Sequence, residues 1–249
     1  MSGDDVVWTD YLAWLRRADD LNDPAEAFRA YGRSLEGRVA DPKAHLGVAL
    51  RLMRERPDAW PLMFDKIYRS AAPRFTPAPN ALLLDAVAGR PPGRALEIAM
   101  GQGRNAVALA RAGWDVTGFD VSPEGLAIAA AHAAAAGVAL TTRLEPFDRF
   151  DYGDAQWDLI AVIYGPGAIA QPAFAARIVG ALKPGGIAVV ESFASPAESA
   201  NRRPVDIDPA DLLRAFADCR IRRFEDTDGV TDWTPQTTSL VRLIAERRS

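Results

Sequence analysis

Glu97, the glycines Gly101 and Gly103, and Asp120 are the residues whose types and spacing could do chemistry together. They lie in the stretch from Arg94 to Ser122, which reads as strand, glycine turn, helix, strand and then an acid. The first strand is short and apolar, through Ala95, Leu96 and Ile98, and ends near Glu97. Gly101 and Gly103 lack a Cβ where the chain bends sharply or approaches a ligand closely. A helix from about Arg104 to Ala112 follows, with Gly113 as its left-handed stop. Val116 to Phe119 form a second strand, with Asp120 at its carboxyl end. In an open parallel sheet, ligands bind beyond the carboxyl ends of the strands. An acid there can accept hydrogen bonds from two ribose hydroxyls, so the pattern predicts a nucleoside-binding half-fold. Two cofactors remain open. Gly101-x-Gly103-x-x-Ala106 satisfies the dinucleotide fingerprint, with Asp120 roughly 20 residues further on.

Other elements would bring further groups to the same crevice. Trp157 to Tyr164 is a nearly continuous apolar run, as expected of a buried central parallel strand, and it ends in Tyr164-Gly165-Pro166-Gly167. Pro172 to Leu182 reads as a helix, Lys183 to Gly186 as a turn, and Ile187 to Glu191 as the next strand. Glu191 leaves that strand on the ligand side. It could act as a general base if burial raises its pKa, or anchor a substrate amine. Val138 to Arg143 forms a short third strand, followed by Glu145-Pro146-Phe147-Asp148. Ser122-Pro123 caps an alanine-rich helix to about Ala136, in which His132 reads as a packing or surface residue. The loop from Ala194 to Asp206 is long and polar; Arg202 and Arg203 in it could hold a carboxylate or simply be solvated. Asp208-Pro209 opens a last helix to Ala217. Strands at Ile221 to Phe224 and Thr237 to Ile244 close the chain, joined by an acidic turn region from Asp226 to Pro235.

The first 70 residues are helical in pattern. Trp8, Leu12, Trp14 and Leu15 fall at helical spacing with Thr9 as a cap. Asp23-Pro24 and Asp41-Pro42 each start a helix, and a fourth runs from Asp58 to about Arg69. Aromatics here, Trp8, Trp14, Phe28, Tyr31, Trp60, Phe64 and Tyr68, read mostly as core. The proline-rich segment from Pro73 to Pro79 is the domain boundary, and Pro79 starts a helix to about Ala88.

The whole chain narrows the function classes. It has 249 residues, 49% hydrophobic and 25% charged, ordinary values for a globular protein. A formal net charge of −4 argues against a general nucleic-acid binder. Cys219 is the single cysteine, which rules out an internal disulfide and a zinc thiolate cluster. His45 and His132 are the only histidines, too few for a histidine-built metal site. No signal peptide or membrane-spanning run is visible, so the expected location is cytoplasmic.

Glu97-Ile98-Ala99-Met100-Gly101-Gln102-Gly103 resembles the acid-x-Gly-x-Gly-x-Gly signature of class I S-adenosylmethionine-dependent methyltransferases. Leu182-Lys183-Pro184-Gly185-Gly186 resembles the turn before their fifth strand. The run from Gly103 to Pro123 is close to small-molecule members grouped with tellurite-resistance and thiopurine-type enzymes. The resemblance covers residues 79–247, with Ala99 standing where the first glycine is usual. It implies an α/β, Rossmann-like seven-stranded sheet, mostly parallel with an antiparallel last strand and helices on both faces. Residues 1–76 would be a helical extension or lid and 77–249 the methyltransferase domain. S-adenosylmethionine would be held by Glu97, Ala99, Gly101, Gly103, Asn105, Asp120, Val121, Glu145, Phe147 and Tyr164. Glu145, with Asp148 as competitor, would face the adenine amino group. Tyr164 would lie nearest the transferred methyl, as wall or hydrogen-bond donor, with Glu191 as the other catalytic residue. Tyr68 and Phe75 would close over a small-molecule substrate carrying a nitrogen, oxygen, sulfur or other chalcogen nucleophile. Nucleic-acid aminomethylases carry Asn/Asp-Pro-Pro-aromatic where this chain has Tyr164-Gly165-Pro166-Gly167, so nucleic acid and membrane are not expected partners. A homodimer through the N-terminal helices is. Two alternatives stand: an NAD(P)-binding oxidoreductase, opposed by too few residues for a second nucleotide half, and a non-catalytic assembly module on the same fold.

Overall fold

Aspartate before proline starts helices here as the sequence predicts, because the acid accepts an otherwise unpaired amide and proline needs no donor. Asp23 caps α2 (Pro24–Leu35) through the Glu26 amide at 2.7 Å, and Asp41 caps α3 (Pro42–Glu55) through Ala44 at 3.0 Å. The first helix, α1 (Gly3–Arg17), starts earlier than expected: Ser2 and Asp5 form a reciprocal capping box, so Thr9 lies inside the helix. The fourth helix is α4 (Ala59–Arg69). The computed structural model describes residues 2–19, 21–56, 58–70, 75–196, 199, 203, 205–232 and 237–248. Pro73, Arg202 and Pro235 lie outside them. The chain divides into two units, Met1–Phe75 with Ala200–Pro204, and Thr76–Ser199 with Val205–Ser249.

The helical unit has its own core, with Trp8, Tyr11, Leu15, Tyr31, Leu52, Met53, Met63 and Ile67 buried. Trp14, Phe28, Trp60 and Phe64 pack against it half-buried, so the aromatic pattern is largely core. No helix among the described residues is long and apolar enough to cross a membrane.

The second unit is a seven-stranded sheet of order β3-β2-β1-β4-β5-β7-β6. Its strands are β1 (Arg94–Ile98), β2 (Asp115–Asp120), β3 (Thr141–Leu144), β4 (Trp157–Ile163), β5 (Leu182–Phe193), β6 (Arg220–Val230) and β7 (Thr237–Glu246). The first five are parallel, and β7 runs antiparallel between β5 and β6. Its helices are α5 (Ala81–Val87), α6 (Arg104–Arg111), α7 (Pro123–Ala136), α8 (Pro172–Ala181) and α9 (Pro209–Ala215). Leu96, Ile98, Phe119, Ile160, Val162, Phe174, Ile178 and Val190 form the core, each contributing about 1.5–3 kcal/mol by burial. Strand order reverses between β1 and β4, and that switch point opens the ligand crevice of such sheets.

Several boundaries move. Asn80, not Pro79, caps α5, accepting from the Leu83 amide at 2.9 Å. β3 begins at Thr141 rather than Val138. Lys183 to Gly186 is a bulge inside β5, not a turn before it: Trp157 pairs with Leu182, then Leu159 with Ile187. Asp226 to Gly229, read as turn, continue β6 in register with Val241 to Thr238.

Gly103 shows how tightly the unit packs where α6 begins. Its φ is +74°, and an added Cβ would lie 2.8 Å from the Ala129 Cβ on α7. Gly103→Ala is expected to lower stability by about 1–3 kcal/mol, read from urea unfolding. An unchanged midpoint would contradict this packing.

Candidate functional site

The chain leaves β1 through three left-handed residues in alternation: Ala99 at φ 56°, Gly101 at 52° and Gly103 at 74°. Ala99 bears a strain that glycine would not, of order 1–2 kcal/mol. The turn is fastened to the end of β2. The Met100 amide donates to the Phe119 carbonyl at 3.0 Å, and the Gly101 amide to Asp120 Oδ2 at 2.8 Å. Asp120 Oδ1 accepts from the Ser122 amide at 2.9 Å. The buried acid at the end of β2 is therefore also the staple of the glycine turn.

Glu97 is 3% exposed. Its Oε1 accepts from Asn105 Nδ2 at 2.8 Å, while Oε2 is buried with no hydrogen-bond partner among the described residues. Burial pushes its pKa up to about 7, against the opposing pull of the Asn105 hydrogen bond and the Arg104 charge. Asn105, near the start of α6, also accepts from the Asn80 amide at 2.8 Å.

From Asn80 the network crosses to the far side of β4. Asn80 Nδ2 donates to Glu191 Oε1 at 3.0 Å and to Asp232 Oδ2 at 2.8 Å. Glu191 Oε1 also accepts from the Tyr164 hydroxyl at 2.6 Å, and Oε2 from Arg242 Nε at 2.7 Å. Tyr164 accepts in turn from Thr231 Oγ1 at 2.9 Å. Burial, then the nearby Glu191 and Asp232 charges, pushes the phenol well above its ordinary range, so it stays protonated. Arg104 binds Asp232 at 3.0 Å, and Arg242 reaches Glu225 at 3.1 Å. Both Glu191 oxygens thus hold donors, one of them in an ion pair.

The fold brings Glu97, Asn105, Tyr164 and Glu191 into one hydrogen-bonded chain, with Asp120 and the turn beside it. Glu145 and Phe147 follow β3, both half-buried. The Glu145 amide donates to the Asp120 carbonyl at 3.0 Å, and the Phe147 ring meets Phe174 at 5.2 Å. Val121 is half-buried between Asp120 and Ser122, and Asp148 is exposed. Tyr68 and Phe75 belong to the helical unit, their rings 5.4 Å apart, with Phe75 against that unit's core. His132 is exposed, with Nδ1 3.0 Å from the Gln102 carbonyl.

Sequence reasoning missed Asn80, Arg104, Thr231, Asp232 and Arg242. Asn80 carried a readable signal, an asparagine directly before the apolar run 81–84. Arg242 arrives by strand pairing on β7, Thr231 and Asp232 follow the end of β6, and Arg104 opens α6; nothing local marks their distant partners.

Residues 95–186 match a family described as a methyltransferase domain. No curated protein matches the chain significantly. Among solved structures, TehB from Haemophilus influenzae superposes with a TM-score of 0.59 at 16% identity, over 75% of this chain and 66% of that one. A protein solved in work on converting a disulfide bond into a thioacetal group during echinomycin biosynthesis gives 0.58 at 20% identity, covering 76% and 92%. Magnesium protoporphyrin IX methyltransferase from Synechocystis, with bound SAH, gives 0.51 at 17%, covering 67% and 78%. These likenesses are of fold. Taken with the family match across the glycine turn, the 3-2-1-4-5-7-6 sheet gives the second unit the fold of the methyltransferase domains it resembles.

Proposed function

We propose that this domain methylates a small molecule, with S-adenosylmethionine held at the carboxyl ends of β1 and β2 and the acceptor beside Tyr164. The observation that carries the reading is Glu97 Oε2, a buried carboxylate oxygen next to the glycine turn that has no hydrogen-bond partner among the described residues. A desolvated carboxylate with one oxygen unanswered suits a cation, which would also favour its ionised form, and the amino-acid end of this cofactor bears an ammonium group. The residues present therefore fit the cofactor. Asp120, which accepts from the Gly101 and Ser122 amides, would also face the ribose hydroxyls from the end of β2. The Glu145 side chain and the backbone at Phe147 would face the adenine. When bound, S-adenosylmethionine supplies a methyl carbon on a sulfonium, open to in-line displacement.

Alignment of the acceptor is then the main task of the protein's own groups. Tyr164 is fixed by Glu191 and Thr231, so its ring serves as an oriented wall and its hydroxyl is already committed. Glu191, bound to Arg242, Asn80 and Tyr164, orients that wall instead of taking a proton. A nucleophile that arrives deprotonated, such as a thiolate or a heavier chalcogen anion, asks least of such a site. The dinucleotide reading is disfavoured by the antiparallel β6–β7 closure, which replaces a second nucleotide half.

S-adenosylmethionine is expected to raise the thermal midpoint of the full chain and NADH to leave it unchanged; stabilisation by NADH alone would overturn the reading. Asp120→Ala should weaken cofactor binding at least about tenfold by calorimetry, the scale of a lost charge-assisted hydrogen-bond pair. An unchanged dissociation constant would remove the ribose role. Glu97 sets a pH dependence with a definite sign. Its folded pKa, about 7, lies above the ordinary 4.5, so the fold favours the protonated form. The stability this group contributes is full below pH 4.5 and lost as pH rises through about 7. Glu97→Gln should flatten that slope in the cofactor-free protein, and a slope that survives the exchange would assign it elsewhere.

A further inference from the structure

The two ends of the sheet are unlike. β3 is four residues long, the kind of short edge that limits unwanted pairing. β6 is eleven residues long, with none buried, and among the described residues it pairs with β7 alone.

The charges along β6 are ordered. Arg220, Arg222 and Arg223 fill its first half, Glu225, Asp226 and Asp228 its second, with Phe224 between. Laid antiparallel on a copy of itself about Phe224, the strand sets Arg220 opposite Asp228, Arg222 opposite Asp226 and Arg223 opposite Glu225. Ile221 meets Thr227. Every charged residue of this stretch then faces its opposite, and two-fold symmetry repeats each pair. Parallel, in-register pairing would set like against like.

Contacts within the chain leave the two halves with opposite residual charge. At the basic end three guanidinium groups share one carboxylate: Glu246 lies 2.8 Å from Arg222, 3.3 Å from Arg90 and 3.9 Å from Arg220. At the acidic end Asp226 and Asp228 stand opposite the uncharged Val241 and Ser239, and the Ser239 hydroxyl donates to Asp228 at 2.7 Å. Arg223 and Glu225 already bind each other at 2.7 Å, so the outer pairs carry the complementarity. A bulge between Ile221 and Arg223 bends the strand, and bulges and edge charges can also serve to keep an edge single. Charges that repel a copy would repeat one sign along the strand, and these change sign at Phe224 instead.

We propose that β6 pairs antiparallel with β6 of a second copy of this chain, about a two-fold axis near Phe224. The pairing joins two seven-stranded sheets into one along nine residues, about 30 Å of strand. This edge, rather than the N-terminal helices, is the self-complementary surface.

Analytical ultracentrifugation of the full chain tests it. The wild type should dimerise at low ionic strength and dissociate as salt is added. Arg220→Asp with Arg222→Asp makes the outer positions all acidic, and Asp226→Arg with Asp228→Arg makes them all basic. In either variant four cross-strand pairs turn repulsive, so self-association should weaken about a hundredfold or more. An equimolar mixture of the two should form a heterodimer. Association restored only on mixing excludes both misfolding and an interface elsewhere. If a double variant fails to fold, Arg222→Glu and Asp226→Lys carry the same test. A wild type that stays monomeric at low salt, a variant that self-associates like the wild type, or folded variants that remain monomeric when mixed would each overturn the proposal.

Discussion

A carboxylate taken out of water must be answered by donors or positive charge, and two such groups flank the central strand of this sheet. Glu97 pairs across the ladder with Ala161 of β4, and Glu191 with Ile163. The protein answers them differently. Glu191 receives Tyr164, Asn80 and Arg242 and becomes a fixed internal joint. Glu97 receives one amide donor and keeps an oxygen with none among the described residues. From that difference follows an asymmetry: the chain itself satisfies the carboxylate on one side of β4 and leaves an oxygen of the other without a donor among the described residues.

Asn80 and Asn105 connect the two sides. Each spends its side chain on both donor and acceptor contacts, so the pair transmits position from the glycine turn to the tyrosine wall without carrying charge. An asparagine link is suited to this, since aspartate in either place would bring a third anion beside two that are already costly.

Local chemistry made much of the fold legible. The Asp-Pro helix starts, the unbroken apolar run of β4 and the glycine turn each act within a few residues, and each is where the sequence puts it. Ser2 with Asp5 was equally readable and outcompetes Thr9 because it satisfies two amides at once. The misreadings share one cause. Lys183 to Gly186 and Asp226 to Gly229 have turn composition, yet pairing with β4 and β7 draws them into strands. The same long-range pairing delivers Arg242 to Glu191, and the fold also brings Thr231 to Tyr164, neither contact being foreseeable from local composition. Glu191 itself could be placed from sequence; that its oxygens are already occupied could not.

The anchoring role of Asn80 bears on how such a domain can diverge. The stretch that matches the methyltransferase family, residues 95–186, holds the turn, Glu97, Asn105, Asp120 and Tyr164. Asn80, Glu191, Thr231, Asp232 and Arg242 all fall outside it. Tyr164 is thus held in place by side chains that lie outside the matched stretch, and a substitution at Asn80, Glu191 or Arg242 would move it without touching the glycine turn.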